Sequence, residues 1–402
     1  MAIYRLENVI QPYAWGSTTA IADLLGRPVP SADPQAELWM GTHPKGPSMV
    51  VAQGRRLPLQ QVIARRPVEV LGADAALRFG PRLPFLFKVL AAAQPLSIQA
   101  HPSKSQAVAG YARENREGKP LAAADRNYRD DNHKPEIICA LTPFWGLNGF
   151  RLPGAAVALL APVCPRALNG PFQDLKRGQA AGLRDFFKSM LSLAVGDRAA
   201  AVEEIAQKAQ PLLDQSPVYR WIVNLTRTYP ADLGVLSPAL LNLIRLEPGQ
   251  AMYLPAGQLH AYLEGMGIEL MANSDNVLRG GLTPKHVDLT ELMAVVRFEA
   301  ADPAVIRAHA VRPAEYGYAC PALEFALSVI RTTDRRAYVS PATRSVELLL
   351  CTAGEGVLDG GDPPESLSVR RGDSFLVSAG VGRYAIHGSA TVYKAAVPLA
   401  PQ

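Results

Sequence analysis

The segment Gly249 to His260, GQAMYLPAGQLH, is built to fix an imidazole. Ala251 to Leu254 forms a short strand pattern. Pro255-Ala256-Gly257 is a turn in which proline sets φ and glycine permits positive φ. His260 then re-enters a strand beside a tight corner, where a pre-set rotamer makes it a good metal ligand. The alternative is a strand-turn-strand carrying a core histidine. In Gln94 to Lys104, QPLSIQAHPSK, the residues Leu96, Ile98 and Ala100 alternate with Ser97, Gln99 and His101. That period of two puts the three polar side chains on one strand face. Such a face either meets solvent or needs partners or a ligand. His133, Lys134 and Glu136 crowd around Pro135, just ahead of the apolar run Ile137 to Cys139. Glu269, Asp275, Arg279 and Lys285 fall within 17 residues, with Gly280 and Gly281 free to let backbone approach a ligand closely.

The elements around these residues are mostly strands. Tyr4–Leu6, Ser48–Val51 and Phe85–Leu90 are short apolar runs between Gly and Pro. Thr19–Leu25 and Leu57–Val70 suit short helices, and QPYAWGS at 11–17, with Trp15, is a turn-rich loop. The polar stretch Glu114–Asp131 is expected to be a mobile loop. From Pro153 to Leu240 the period lengthens: Leu183–Leu193, Ala199–Leu213 and Val218–Tyr229 carry apolar residues at helical spacing. Strand texture resumes at Leu243 and dominates the last ninety residues. There Gly372 to Gly380 echoes the Gly249 corner, with Ser378 for the proline and Arg383 in the histidine's place.

Composition narrows the class. At 402 residues, 48% hydrophobic and 19% charged, the chain can bury more than one core and is too apolar for disorder. A net charge of +5 without a clustered Lys/Arg run gives nucleic-acid binding little support. Four scattered cysteines without a CxxC pair suggest reduced thiols. With no signal-peptide pattern and no membrane-length apolar run, a cytoplasmic protein is expected.

Taken together these landmarks closely resemble the type I phosphomannose isomerases, and the Gly249 corner resembles half of a cupin signature. QPYAWGS at 11–17, AELWMGTHP at 36–44, PFLFKVL at 84–90, QPLSIQAHPSK at 94–104 and HKPEI at 133–137 match in the family's order. So do GQAMYLPAGQLHAYLEG at 249–265 and NSDNVLRGGLTPKH at 273–286. The resemblance implies a mainly β fold with an α-helical insert and tandem cupin (jelly-roll) β-barrels. The expected divisions are 1–152 and 242–310 for the catalytic barrel, 153–241 for the insert and 311–402 for a metal-free second barrel. It implies one zinc ion per chain, held by Gln99, His101, Glu136 and His260, a mixed N/O set suited to zinc. The implied activity is interconversion of mannose 6-phosphate and fructose 6-phosphate through an enediol, within mannose metabolism and GDP-mannose biosynthesis.

Within that activity Arg279 is the candidate enediolate cation, and Glu269 the first choice for the proton carrier, with Lys134 second. His133 and Asp275 are candidates for ring opening or positioning. Ser97, Lys88, Lys285 and Trp15 are candidates for substrate and phosphate binding, a structural ion pair being the alternative for each lysine. The expected partner is a small sugar phosphate, with neither nucleic acid nor membrane, and the expected state a monomer, with a dimer as alternative. Two rival functions are a silent sugar-phosphate-binding regulator and an isomerase of a non-phosphorylated aldose.

Overall fold

A computed structural model describes residues 3–52, 55–178 and 181–399. The fold is mainly β, with two eleven-stranded sheets and a helical stretch whose helices run from Pro153 to Leu240. No helix among the described residues is long and apolar enough to cross a membrane.

The site lies on the sheet containing the strands Glu37–Met40, Phe85–Ala92, His260–Ala272, Glu136–Ala140 and Gln250–Leu254, in that order of pairing. The long strand His260–Ala272 is its axis. Its first part pairs with Phe144–Phe150 and with Gln99, and its second part with Phe85–Ala92 and Glu136–Ala140. The change of partners falls at Gly265, with φ of 122°. A Cβ there would stand 2.6 Å from the carbonyl oxygen of Pro143, so only glycine lets the strand pass this corner.

Both faces of this sheet are buried, which explains the near-continuous apolar run Phe85–Ala92. Phe85, Phe87 and Val89 enter a core shared with Leu327, Leu348 and Leu376 of the other sheet. Leu86, Lys88 and Leu90 face a cavity on the opposite side. The helices close the back of the site: Phe186, Phe187 and Ile222 pack in one cluster with Ile98, Leu259 and Leu278.

The second sheet joins the two ends of the chain. Ile3–Glu7 lies between Ser374–Val377 and Met49–Ala52, with Ile3 opposite Val377 and Leu6 opposite Val50. Tyr4–Leu6 and Ser48–Val51 are therefore strands as expected, but their sheet is completed by the C-terminal residues. Inside this sheet Lys394 lies 2.6 Å from Glu315 and 3.2 Å from Glu347, while Arg344 lies 3.6 Å from Glu347. Arg383, expected in the histidine's place, is exposed instead, and its neighbour Tyr384 is the buried residue.

Two further expectations change, and one helix is added. Leu57–Val70 is two helices, Leu59–Arg65 and Pro67–Leu71, because Arg66 precedes proline and leaves the helical region at φ −143°. Lys104–Arg116 is a helix opened by a capping box between Ser103 and Gln106. The supposed mobile loop after it is tied down. Glu114 is buried and accepts the N–H groups of Asn127 at 3.1 Å and Tyr128 at 2.8 Å, with Arg126 buried 3.6 Å away. Glu114, Arg126 and Asn127 serve internal pairing, while most of 115–125 faces solvent.

Candidate metal centre and its cavity

His101, Glu136 and His260 converge, each with a ligand-capable atom within 4.8 Å of the others'. Gln99 and His260 are register partners, which brings Gln99 to the histidine after the turn; the strand is only Gln99–Ala100, so the alternation expected from Leu96 to His101 does not form. The turn itself is pinned: Gly257 has φ of 78°, and its N–H donates to the carbonyl of His101 at 2.8 Å. Glu136 begins its strand opposite Leu254 and Met271, which aims its carboxylate inward.

The hydrogen bonds settle the tautomers. Nδ1 of His101 lies 2.7 Å from the carbonyl of Asn276, and Nδ1 of His260 lies 2.9 Å from that of Gln258. A carbonyl only accepts, so each Nδ1 carries the proton and each Nε2 presents a lone pair. Those Nε2 atoms face the two oxygens of Glu136, at 3.4 Å and 3.3 Å. Both Nε2 atoms and one carboxylate oxygen are buried without a hydrogen-bond partner. Three lone pairs aimed at one point repel one another unless a cation lies between them. Two imidazole nitrogens with carboxylate and amide oxygens fit zinc.

Electrostatics agrees. Burial pushes the His101 imidazole down to about 4, so it is neutral and able to ligate at ordinary pH. Burial acts to raise the Glu136 carboxyl, but Lys134, 3.1 Å away, and the imidazoles outweigh it and hold it well below its usual range. Among the described residues this is the group of three or more His, Cys, Asp or Glu placed to hold a metal.

A cavity of about 260 Å³ opens beside the centre. Its walls include Trp15, Lys88, Gln99, Lys134, Glu136, Glu269, Asp275, Arg279 and Lys285, all singled out by the sequence. Lys88 is not free to hold an anion. It is buried, with its ammonium 2.8 Å from Glu269 and 3.7 Å from Glu37. These contacts match the ion-pair alternative for Lys88, since two carboxylates already surround the charge. Burial raises the Glu269 carboxyl, and Lys88 only partly offsets this.

Arg279 and Lys285 differ from Lys88. The described residues include no carboxylate partner for either side chain. Arg279 is register partner to Gln99. Burial and the nearby Arg129 lower its pKa, and burial with Arg279 and Arg129 lowers that of Lys285. Uncompensated cations side by side attract an anion. Gly280 and Gly281 do not serve ligand approach as expected. A Cβ on Gly280 would meet Leu259 at 3.1 Å and Ile98 at 3.3 Å, and Gly281 packs toward Gly234 and Asp232.

Two expected residues are not brought to the cavity walls. Ser97 does not line them. His133 turns away, its Nε2 2.7 Å from Glu324 in the C-terminal part of the chain. Asp275 does line them but is clamped by Lys45 at 2.8 Å and His43 at 3.4 Å. Burial works against its ionisation, and His43 and Lys45 reverse this, keeping it well below the usual carboxylate range.

Residues given no site role by the sequence also line the cavity: Glu37, Trp39, His43, Lys45 and Tyr262. Trp39 Nε1 donates to Glu37 at 2.6 Å. The signal for Glu37 was a charged residue opening the apolar strand ELWM. Tyr262 follows His260 by two and shares its face; its hydroxyl is buried without a partner, and burial raises its pKa well above the usual phenol value.

A model of the type I phosphomannose isomerase catalytic domain matches residues 3–152. Mannose-6-phosphate isomerase from Escherichia coli (strain K12) is 42% identical over 388 residues, covering 96% of this chain and 97% of that protein. The Emericella nidulans mannose-6-phosphate isomerase is 34% identical, covering 94% and 91%. Among solved structures, a variant of phosphomannose isomerase from Salmonella typhimurium superposes with a TM-score of 0.92 at 38% identity, over 99% of this chain and 100% of the other. A zinc-bound mannose 6-phosphate isomerase gives 0.90 at 38% identity with the same coverage.

Proposed function

The chain belongs to the type I phosphomannose isomerase family, and from that premise we propose that it interconverts D-mannose 6-phosphate and D-fructose 6-phosphate at a zinc site made by Gln99, His101, Glu136 and His260. The observation that carries this reading is the adjacency of three unsatisfied ligand atoms to a cavity holding two cations without carboxylate partners.

When bound, zinc supplies a Lewis acid that polarises sugar oxygens. The chain's own residues must then open the ring, move a proton between C2 and C1 through an enediol, and hold the phosphate. Glu269 is the proposed proton carrier. Burial raises its pKa toward the operating range, and Lys88 fixes its orientation from the opposing strand. Lys134 lies against Glu136 and is better suited to holding that ligand charged. Arg279, beside Gln99, faces the charge that develops on the enediolate oxygens; Lys285 receives the phosphate dianion. Asp275, kept ionised and clamped, positions the rim.

Turnover of mannose 6-phosphate and of mannose by zinc-loaded protein tests the assignment. Isomerisation of the phosphorylated sugar alone is expected. Equal turnover of mannose would point to a non-phosphorylated aldose, and binding without turnover to a regulator.

A further inference from the structure

Asn276 touches the metal centre through its main chain and a different part of the molecule through its side chain. Its carbonyl accepts the Nδ1 proton of His101 at 2.7 Å. Its side chain is wholly buried and fully used. Oδ1 accepts the N–H groups of Arg129 at 2.7 Å and Asp130 at 3.2 Å. Nδ2 donates to the carbonyls of Asp130 and Asn132, both at 2.8 Å. Asp130 returns the connection, its carboxylate accepting from Ser274 Oγ at 2.8 Å and from the N–H of Asp275 at 2.7 Å.

A carboxamide with every donor and acceptor engaged inside the protein has one acceptable position. Whatever fixes the His101 ring therefore fixes the 129–132 backbone, and the reverse. That segment carries Arg129, whose charge lowers the pKa of Arg279 and of Lys285. It also leads directly into His133, Lys134 and Glu136.

We propose that Asn276 is a positioning residue that links metal binding at His101 to the ordering of residues 129–132, the segment that leads into His133, Lys134 and Glu136. This rests on the zinc reading above. Without metal, the His101 ring loses one of its two restraints, and the 129–132 backbone loosens with it. With metal, the ring is held at both nitrogens and the segment is ordered through Asn276.

The test uses the full chain, stripped by chelator and reloaded with zinc alone. In the wild-type protein, zinc should slow hydrogen exchange at the amides of Arg129 and Asp130, which bond to Asn276. In Asn276→Ala, zinc affinity measured by chelator competition should fall by about 10- to 100-fold, as for other residues that orient metal-bound histidines. The zinc-induced rise in Tm should shrink with it, whereas a merely structural loss would lower Tm equally with and without metal. Unchanged exchange at the two amides on zinc addition overturns the link, and does so even if Asn276→Ala fails to fold. So does a folded Asn276→Ala that retains wild-type zinc affinity. Wild-type protein that takes up no zinc overturns the metal reading as well as the link.

Discussion

Lys88 and Glu269 stand directly opposite each other on paired strands, and ammonium and carboxylate meet at 2.8 Å in the cavity wall. Glu37 shares the same ammonium at 3.7 Å. Lys88→Met would leave two carboxylates buried without their cation. Loss of one partner of such a pair costs about 3–5 kcal/mol, so a fall of that order in denaturant stability is expected. The double change Lys88→Met/Glu269→Gln should recover part of it. A single variant as stable as the wild type would show that solvent reaches this pair.

Chelation should abolish turnover and zinc should restore it. His260→Ala removes one of the convergent lone pairs and should lose stoichiometric zinc, measured by elemental analysis. One ion per chain is expected in the wild type, because the interior of the C-terminal sheet is filled by Lys394 and Arg344 with Glu315 and Glu347. A second stoichiometric ion that survives His260→Ala would count against that account.

Stability of the metal-free protein should depend on pH through His101. Its folded-state value near 4 lies below the ordinary 6.5, so the unfolded chain binds the proton first. The contribution is fully present above pH 6.5 and is lost as pH falls toward 4, amounting to about 3 kcal/mol over that window. Zinc keeps the imidazole unprotonated and should extend the stable range to lower pH. Identical acid denaturation curves with and without zinc would refute the assignment.

Arg279 and Lys285 should separate kinetically. Arg279→Ala is expected to lower kcat on the order of 10² to 10³ with KM little changed, and Arg279→Lys to remain impaired because the planar fork is lost. Lys285→Ala should raise KM for the phosphorylated sugar with a smaller effect on kcat. The opposite pattern would exchange their roles.

Tyr262→Phe removes a buried hydroxyl that has no protein partner and leaves the ring packed on Phe144. Stability should hold or rise by about 1 kcal/mol, since an unsatisfied group is deleted. Activity should fall if that hydroxyl meets the sugar. Full activity alongside raised Tm would remove Tyr262 from the substrate contacts.

The convergence of His101, Glu136 and His260 was partly legible in the sequence. A proline-glycine corner precedes His260 and a proline precedes Glu136, whereas Gln99 joins the proposed set only through the family resemblance. Both readings of Lys88 stayed open in the sequence for a general reason. A lysine in an apolar strand shows that a partner exists, not whether that partner is a ligand or Glu269 and Glu37 from distant strands. Glu37, His43 and Tyr262 gain meaning only across long sequence separations. Arg129 lay hidden because Glu114–Asp131 is as polar as a solvated loop, and composition does not reveal that Glu114 and Arg126 satisfy each other inside. The capping box at Ser103 and Gln106 is a local sequence signal, but the helix behind it has too weak an apolar stripe to stand out.

The pairing of Ile3 with Val377 bears on how the molecule assembles. During synthesis the strand Ile3–Glu7 emerges long before its neighbour Ser374–Val377 exists. Until then one of its edges offers unpaired backbone groups to any passing strand, its own or another molecule's. Contacts of such sequence separation also form late, because the loop they close is nearly the whole chain. Nascent chains halted near residue 350 should therefore show an accessible N-terminal strand and a heightened tendency to aggregate, and release of the last fifty residues should remove both.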